Sequence, residues 1–170
     1  MKILLATDGS AHSKAAVNEV ADRPFPLNTK VRIVSAYERT PLINRLEPMG
    51  VMEETYAKAD HYALKAAEDS SENAAKILRQ KNPALTVTTV AIDGSPKSVI
   101  LDEAEAFGAD LIVVGSHGKG MIESFLLGSV SHSVALHARC SVEIVRGTRS
   151  RRKKGKYFWQ LTVLSRAKPR

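Results

Sequence analysis

One cysteine in 170 residues is the first scarcity. A lone Cys140 closes no internal disulfide, and in the apolar setting of CSVEIV it reads as a small buried hydrophobe rather than a reactive thiol. A reducing compartment fits, so the chain is expected to be cytoplasmic. Long apolar runs are scarce as well. The opening MKILLATDGS reaches Asp8 after a brief aliphatic stretch, short of a signal-peptide h-region and of the roughly 18 apolar residues of a spanning helix, so no integral membrane protein is expected. No H-E-x-x-H or C-x-x-C occurs, and His132 and His137 stand five residues apart, so no protein metal site is expected. The G-x-G-x-x-G of a dinucleotide fold is missing from ATDGSAHS, and GKG lacks the Ser or Thr that a P-loop places after its lysine. Ser10 and His12, two apart at a helix start, point away from each other, so capping by Ser10 is expected rather than a nucleophile and base.

Acid is missing from the end of the chain. Residues 146 to 170 hold 10 of the 25 Lys and Arg and none of the 18 Asp and Glu. The net charge of +7 therefore belongs to the tail, and the body is slightly acidic, which argues against reading the whole as a nucleic-acid binder. The expected organisation is one domain over 1 to 147 and a basic, aromatic tail over 148 to 170. For the tail (RSRRKKGK, then YFWQLTVL) the readings are a solvated arm, an added strand or short helix on the body, or a contact with an anionic partner.

What is present is globular: 44% hydrophobic and 25% charged residues, enough for a core. Short β-branched or aliphatic runs at 2 to 6, 30 to 37, 85 to 92, 110 to 115 and 141 to 146 read as strands. Helical segments are expected at 10 to 23, 52 to 81, 95 to 107 and 129 to 138. In the longest, Met52, Tyr56, Ala59, Ala63, Ala67, Ala74 and Leu78 form an apolar stripe, and Pro83 stops it. The alternation implies an α/β fold, a single open, parallel five-stranded sheet with helices on both faces. Residues 38 to 50, with two prolines and a glycine, read as a long loop or a cover over the carboxyl edge.

Ligands of such sheets bind outside the carboxyl ends of the strands, where strand order reverses. Thr7 and Asp8 follow the first strand, Gly94 the third, and GSHGKGMIESFLLGSVSHS the fourth. In that stretch Gly115 would let a ribose or base lie on the backbone, and Gly118 would permit an unusual φ. Gly128, Ser129, Val130 and Ser131 open a helix whose unpartnered N–H groups and dipole favour an anion, with the two hydroxyls as added donors to phosphate. The plainer alternative makes Ser129 an N-cap and Gly115 a turn. His117, inside the glycine loop, reads as loop packing.

The spacing G-x2-G-x9-G-S at Gly115, Gly118, Gly128 and Ser129, with the opening ILLATDGS, resembles the nucleotide-binding members of the universal stress protein family, over residues 2 to 146. The resemblance implies an adenine-nucleotide-binding, Rossmann-like regulatory module that binds ATP, or ADP or AMP, with any Mg2+ held by the phosphates, and has little or no turnover. Its alternatives are a slow ATP hydrolase or phosphoryl-transfer enzyme, and a tail-mediated interaction protein. By resemblance, Ala6, Thr7 and Asp8 lie at base and ribose, and Ala36 and Val114 at the adenine. Gly115, Ser116 and Gly118 approach ribose and phosphates, and Gly128, Ser129, Val130 and Ser131 bind the phosphates. Ala6 stands where many members have proline. No catalytic residue is expected. A homodimer through the last strand, 141 to 146, is expected from the resemblance and from the open edge that strand would leave.

Overall fold

The computed structural model describes residues 1–39, 50–118, 127–146 and 161–163. Its elements run in the order β1 (Lys2–Ala6), α1 (Ala11–Asp22), β2 (Lys30–Tyr37), α2 (Gly50–Lys81), β3 (Thr86–Asp93), α3 (Pro96–Phe107), β4 (Leu111–Gly115), α4 (Ser129–His137), β5 (Ser141–Val145) and β6 (Leu161–Val163). Every expected strand and helix is present, with ends moved by no more than two residues. Local chemistry accounts for the helix boundaries. Ser10 caps α1 by accepting the Ser13 N–H at 3.2 Å, as its position implied. Pro96 opens α3, and Gly108 closes it in the left-handed region at φ 66°.

The strands order as β3-β2-β1-β4-β5-β6, the first five parallel and β6 antiparallel to β5. Strand order therefore reverses between β1 and β4, which are neighbours in register Ile3 to Leu111 through Leu5 to Val113. Each face buries its own cluster. Ile3, Leu5, Ile33, Val113 and Val145 meet Val17 and Val20 of α1 and Ala75 and Leu78 of α2. Leu4, Val34, Ile112, Val142 and Ile144 meet Val99 and Ile100 of α3 and Val134 of α4 on the other side. The alternation along each strand sets which residues go to which face.

Two expectations change. The five parallel strands stand as read, but LTV of the tail adds a sixth, pairing Leu161 to Val163 with Ile144 to Val142. The edge of β5, expected to lie open for a second copy, is thus occupied by the chain itself, and part of the 148 to 170 segment belongs to the sheet of the body. The apolar stripe of α2 also works only in its second half. Ala67, Ala74 and Leu78 are buried, whereas Tyr56 and Ala63 are half-exposed and Ala59 is exposed, because the helix outruns the sheet it packs on. Met52, most of the 38 to 50 loop, residues 119 to 126, and the basic and aromatic runs at 149 to 160 lie outside the residues whose side chains or backbone are described.

Candidate functional site

At the carboxyl ends of β1 and β4 the diverging connections leave a crevice of about 310 Å³, within the range of small-molecule sites. Its floor is the exit of β1. The Thr7 N–H donates to the Val34 carbonyl at 2.9 Å, carrying the ladder one residue past the strand. The Thr7 hydroxyl bonds Ser13 Oγ at 3.3 Å, and Asp8 Oδ1 accepts the Ser10 N–H at 3.0 Å. Burial alone would raise the Asp8 carboxyl, but the hydrogen bonds from Ser10, with Ser13 adding to them, outweigh it and hold the group below the usual carboxylate range. Asp8 is therefore an anion at neutral pH.

Of the twelve expected site residues, eleven line this crevice: Ala6, Thr7 and Asp8 from the first connection, Ala36 and Val114 from β2 and β4, Gly115 and Gly118, and Gly128 to Ser131. Ser116 does not. It is buried, its N–H on the Val145 carbonyl and its own carbonyl accepting both the Gly128 N–H at 2.8 Å and the Ser131 hydroxyl at 3.0 Å. It ties the exit of β4 to the entry of α4.

The glycines earn their places through packing as much as through access. A Cβ on Gly115 would stand 2.7 Å from the His12 carbonyl carbon and 2.8 Å from the Ser13 nitrogen, so the missing side chain lets the first turn of α1 close on β4. A Cβ on Gly128 would meet the Ser116 carbonyl at 3.1 Å and His117 Cα at 3.3 Å. Gly118 differs from its expectation too: among the described residues the glycines of positive φ are Gly9, Gly94 and Gly108, without Gly118, and a Cβ there would approach Asp8 Oδ2 at 3.1 Å.

Helix α4 presents its free N–H groups to the crevice, but with a different division of labour among its serines. Gly128, not Ser129, is the N-cap, and Ser129 is the exposed first helical residue. Ser131 is buried and its hydroxyl is committed to the Ser116 and Gly128 carbonyls, so what it offers a ligand is its backbone N–H. Four further lining residues, Ser13, Val34, Pro96 and Ile100, were not anticipated. Their signals were weak but present: Val34 lies two before Ala36 on one strand face, and Pro96 and Ile100 share one face at the start of α3. His117 also lines the crevice, its Nδ1 3.1 Å from Ser116 Oγ and its ring 5.1 Å from that of His12. Among the described residues no cluster of three metal-ligating side chains occurs, and no helix is long and apolar enough to cross a membrane. Cys140 is half-buried, and burial followed by the nearby Asp110 charge pushes its thiol up, away from thiolate chemistry.

The model of the Universal stress protein family matches residues 1–146. The chain belongs to the universal stress protein family. A relative from Staphylococcus haemolyticus (strain JCSC1435), carrying the universal stress protein name, is 30% identical over 151 residues, which cover 85% of this chain and 83% of that protein. Among solved structures, that of hypothetical protein MJ0577 superposes with a TM-score of 0.72 at 26% identity, covering 88% of this chain and 97% of that one. A universal stress protein in complex with cAMP gives 0.56 at 24% identity, covering 87% and 98%. The Arabidopsis thaliana family member At3g01520, with AMP bound, gives 0.57 at 18% identity, covering 87% and 92%. These last two carry the fold alone.

Proposed function

We propose that this universal stress protein binds an adenine nucleotide at the β1/β4 crevice and acts as a nucleotide-dependent regulatory module with little or no turnover. The observation that carries the reading is the convergence on one crevice of an apolar pocket, formed by Ala36, Val114 and Ile100, with the free N–H groups that open α4. Adenine lies in that pocket, ribose near Thr7 and Asp8, and the phosphates over Ser129 to Ser131 and beside Gly115 and Gly118. The fit of cAMP and AMP to two relatives of the same fold supports the ligand class. ATP, ADP and AMP all satisfy the arrangement, with any Mg2+ carried by the phosphates and the cytoplasm as the working compartment.

Mass spectrometry of nucleotide released from freshly purified protein, with calorimetry of ATP, ADP and AMP, tests the reading. Ala36→Leu, which fills the adenine pocket, should abolish binding while the thermal unfolding midpoint moves little. Unchanged affinity in that variant, or no nucleotide bound by the natural chain, sinks it. Phosphate release near ~10 per second, lost in His117→Ala, would replace the binding module with an enzyme.

The homodimer reading takes a changed form. Pairing of two copies through β5 requires β6 to leave Val142 to Ile144, so the closed chain is the resting state and the dimer the state with β6 released. The basic run ahead of β6 is then the handle by which an anionic partner acts on that strand.

A further inference from the structure

The hydroxyls of Thr7, Ser10 and Ser13 meet the Asp8 carboxylate at the exit of β1, and their protons can be assigned by elimination. Ser13 stands at the centre. A hydroxyl has one proton and two acceptor lone pairs. Two neighbours of Ser13 Oγ can only accept, the Ser10 carbonyl at 3.1 Å and the Asp8 carboxylate, so the Ser13 proton goes to them. Its oxygen therefore receives the proton of the Thr7 hydroxyl, 3.3 Å away. Thr7 Oγ1 also accepts the Gly9 N–H at 3.3 Å, from a Gly9 held at φ 77°. Among the described residues these are its partners, which leave it one lone pair and no proton to give. Thr7 and Ser13 both line the crevice and both are buried, so bulk water does not scramble the arrangement. Nor can Ser13 shift: its N–H donates to Ser10 Oγ at 3.2 Å, and its nitrogen lies 2.8 Å from where a Cβ of Gly115 would stand.

Resting on the nucleotide reading above, we propose that the Thr7 hydroxyl reads a ribose hydroxyl of the ligand, and that Ser13 is the positioning residue that makes it a reader by holding its proton away from the ligand. A hydroxyl free to rotate can donate or accept, and so discriminates little. One whose proton is committed only accepts, and the ligand must bring a donor. A ribose hydroxyl is such a donor. A deoxyribose in the same place leaves a buried acceptor facing carbon-bound hydrogen, with nothing to replace the water it lost. The same lone pair repels phosphate oxygens, which are acceptors themselves, and so keeps them toward the N–H groups that open α4. Ser13 thus selects ribonucleotides over deoxyribonucleotides through Thr7, and sets which end of the ligand lies at the exit of β1.

Calorimetric titration with AMP, 2′-deoxy-AMP and 3′-deoxy-AMP tests this on the full chain, as the natural protein, as Ser13→Ala and as Thr7→Val. The natural protein should bind AMP about tenfold more tightly than at least one of the deoxy analogues, as expected when a lost hydrogen bond strands a buried acceptor. In Ser13→Ala the Thr7 hydroxyl regains its rotation, and the preference should shrink to about twofold. In Thr7→Val, which keeps the shape of the side chain, it should vanish. A merely structural role for Ser13 would weaken all three ligands together and leave their ratios as they were. Equal affinities for the three ligands in the natural protein overturn the inference, and so does a preference in Ser13→Ala equal to the natural one. If Ser13→Ala does not fold, Thr7→Val decides: a preference retained there overturns it as well. Absence of binding by all three ligands instead defeats the nucleotide reading itself.

Discussion

The two outer strands of the parallel set are built on opposite plans. At one side β3 reads TVTTVAID, with Thr86 and Thr88 exposed and every other residue up to Ile92 only half-buried. At the other, β5 reads SVEIV, and Val142, Glu143, Ile144 and Val145 are all buried. A polar, alternating strand tolerates an edge because water satisfies its outward groups, whereas a strand buried on both faces behaves as an interior strand and needs a neighbour. In this chain β6 is that neighbour. The charged residue in β5 makes the same point: Glu143 is 4% exposed and holds the Arg23 guanidinium through two bonds of 2.8 Å. Hydrogen bonding to Glu143, ahead of the contribution of Glu19, raises the Arg23 pKa further above its already high value.

The comparison breaks most visibly if β6 is removed. A chain ending at Gly147 should expose the β5 edge and pass from monomer to dimer or larger species, doubling the mass seen by light scattering; a truncated chain that stays monomeric would show that β5 tolerates an open edge as β3 does. Side-chain truncation comes next. Ile144→Ala should cost about 2–5 kcal/mol in denaturant unfolding, as for a fully buried aliphatic residue, against a change within about 0.5 kcal/mol for Thr88→Ala at the opposite edge; similar losses at both positions would erase the distinction. The smallest effect separates the ion pairs of the two sides. Glu143→Ala should cost about 1–3 kcal/mol, since it leaves a partly buried guanidinium short of its main acceptor, whereas Arg79→Ala beside β3, which removes a 3.6 Å pair with Glu72 between half-exposed side chains, should fall below about 1 kcal/mol.

The parts of this molecule legible in sequence are those whose causes are local. Ser10 as a cap, Pro96 and Gly108 at the ends of α3, and the strand–helix alternation follow from residues within a turn of each other. The crevice was legible as well, because the strand-order rule sends the loops after β1 and β4 to one edge whatever the side chains do. What stayed hidden depends on distant partners. Nothing near Glu143 announces Arg23, 120 positions away, and nothing in LTV states that it lies against β5 rather than in solvent. The direction of a missing Cβ was equally invisible: Gly115 lines the crevice as read, and its missing Cβ also makes room for the backbone of α1. Ser131 looked like a donor for phosphate, and its hydroxyl is taken by a carbonyl fifteen residues earlier.

Helix α1 is anchored at both ends, by contact of its His12–Ser13 backbone with Gly115 at the crevice and by Arg23 on Glu143 beneath the outer strands. Its 12 residues make a strut about 18 Å long. A strut pinned at two points cannot tilt at one without loading the other. The crevice and the outer part of the sheet thus share one rigid rod, with Gly115 at one end of it and Glu143 at the other.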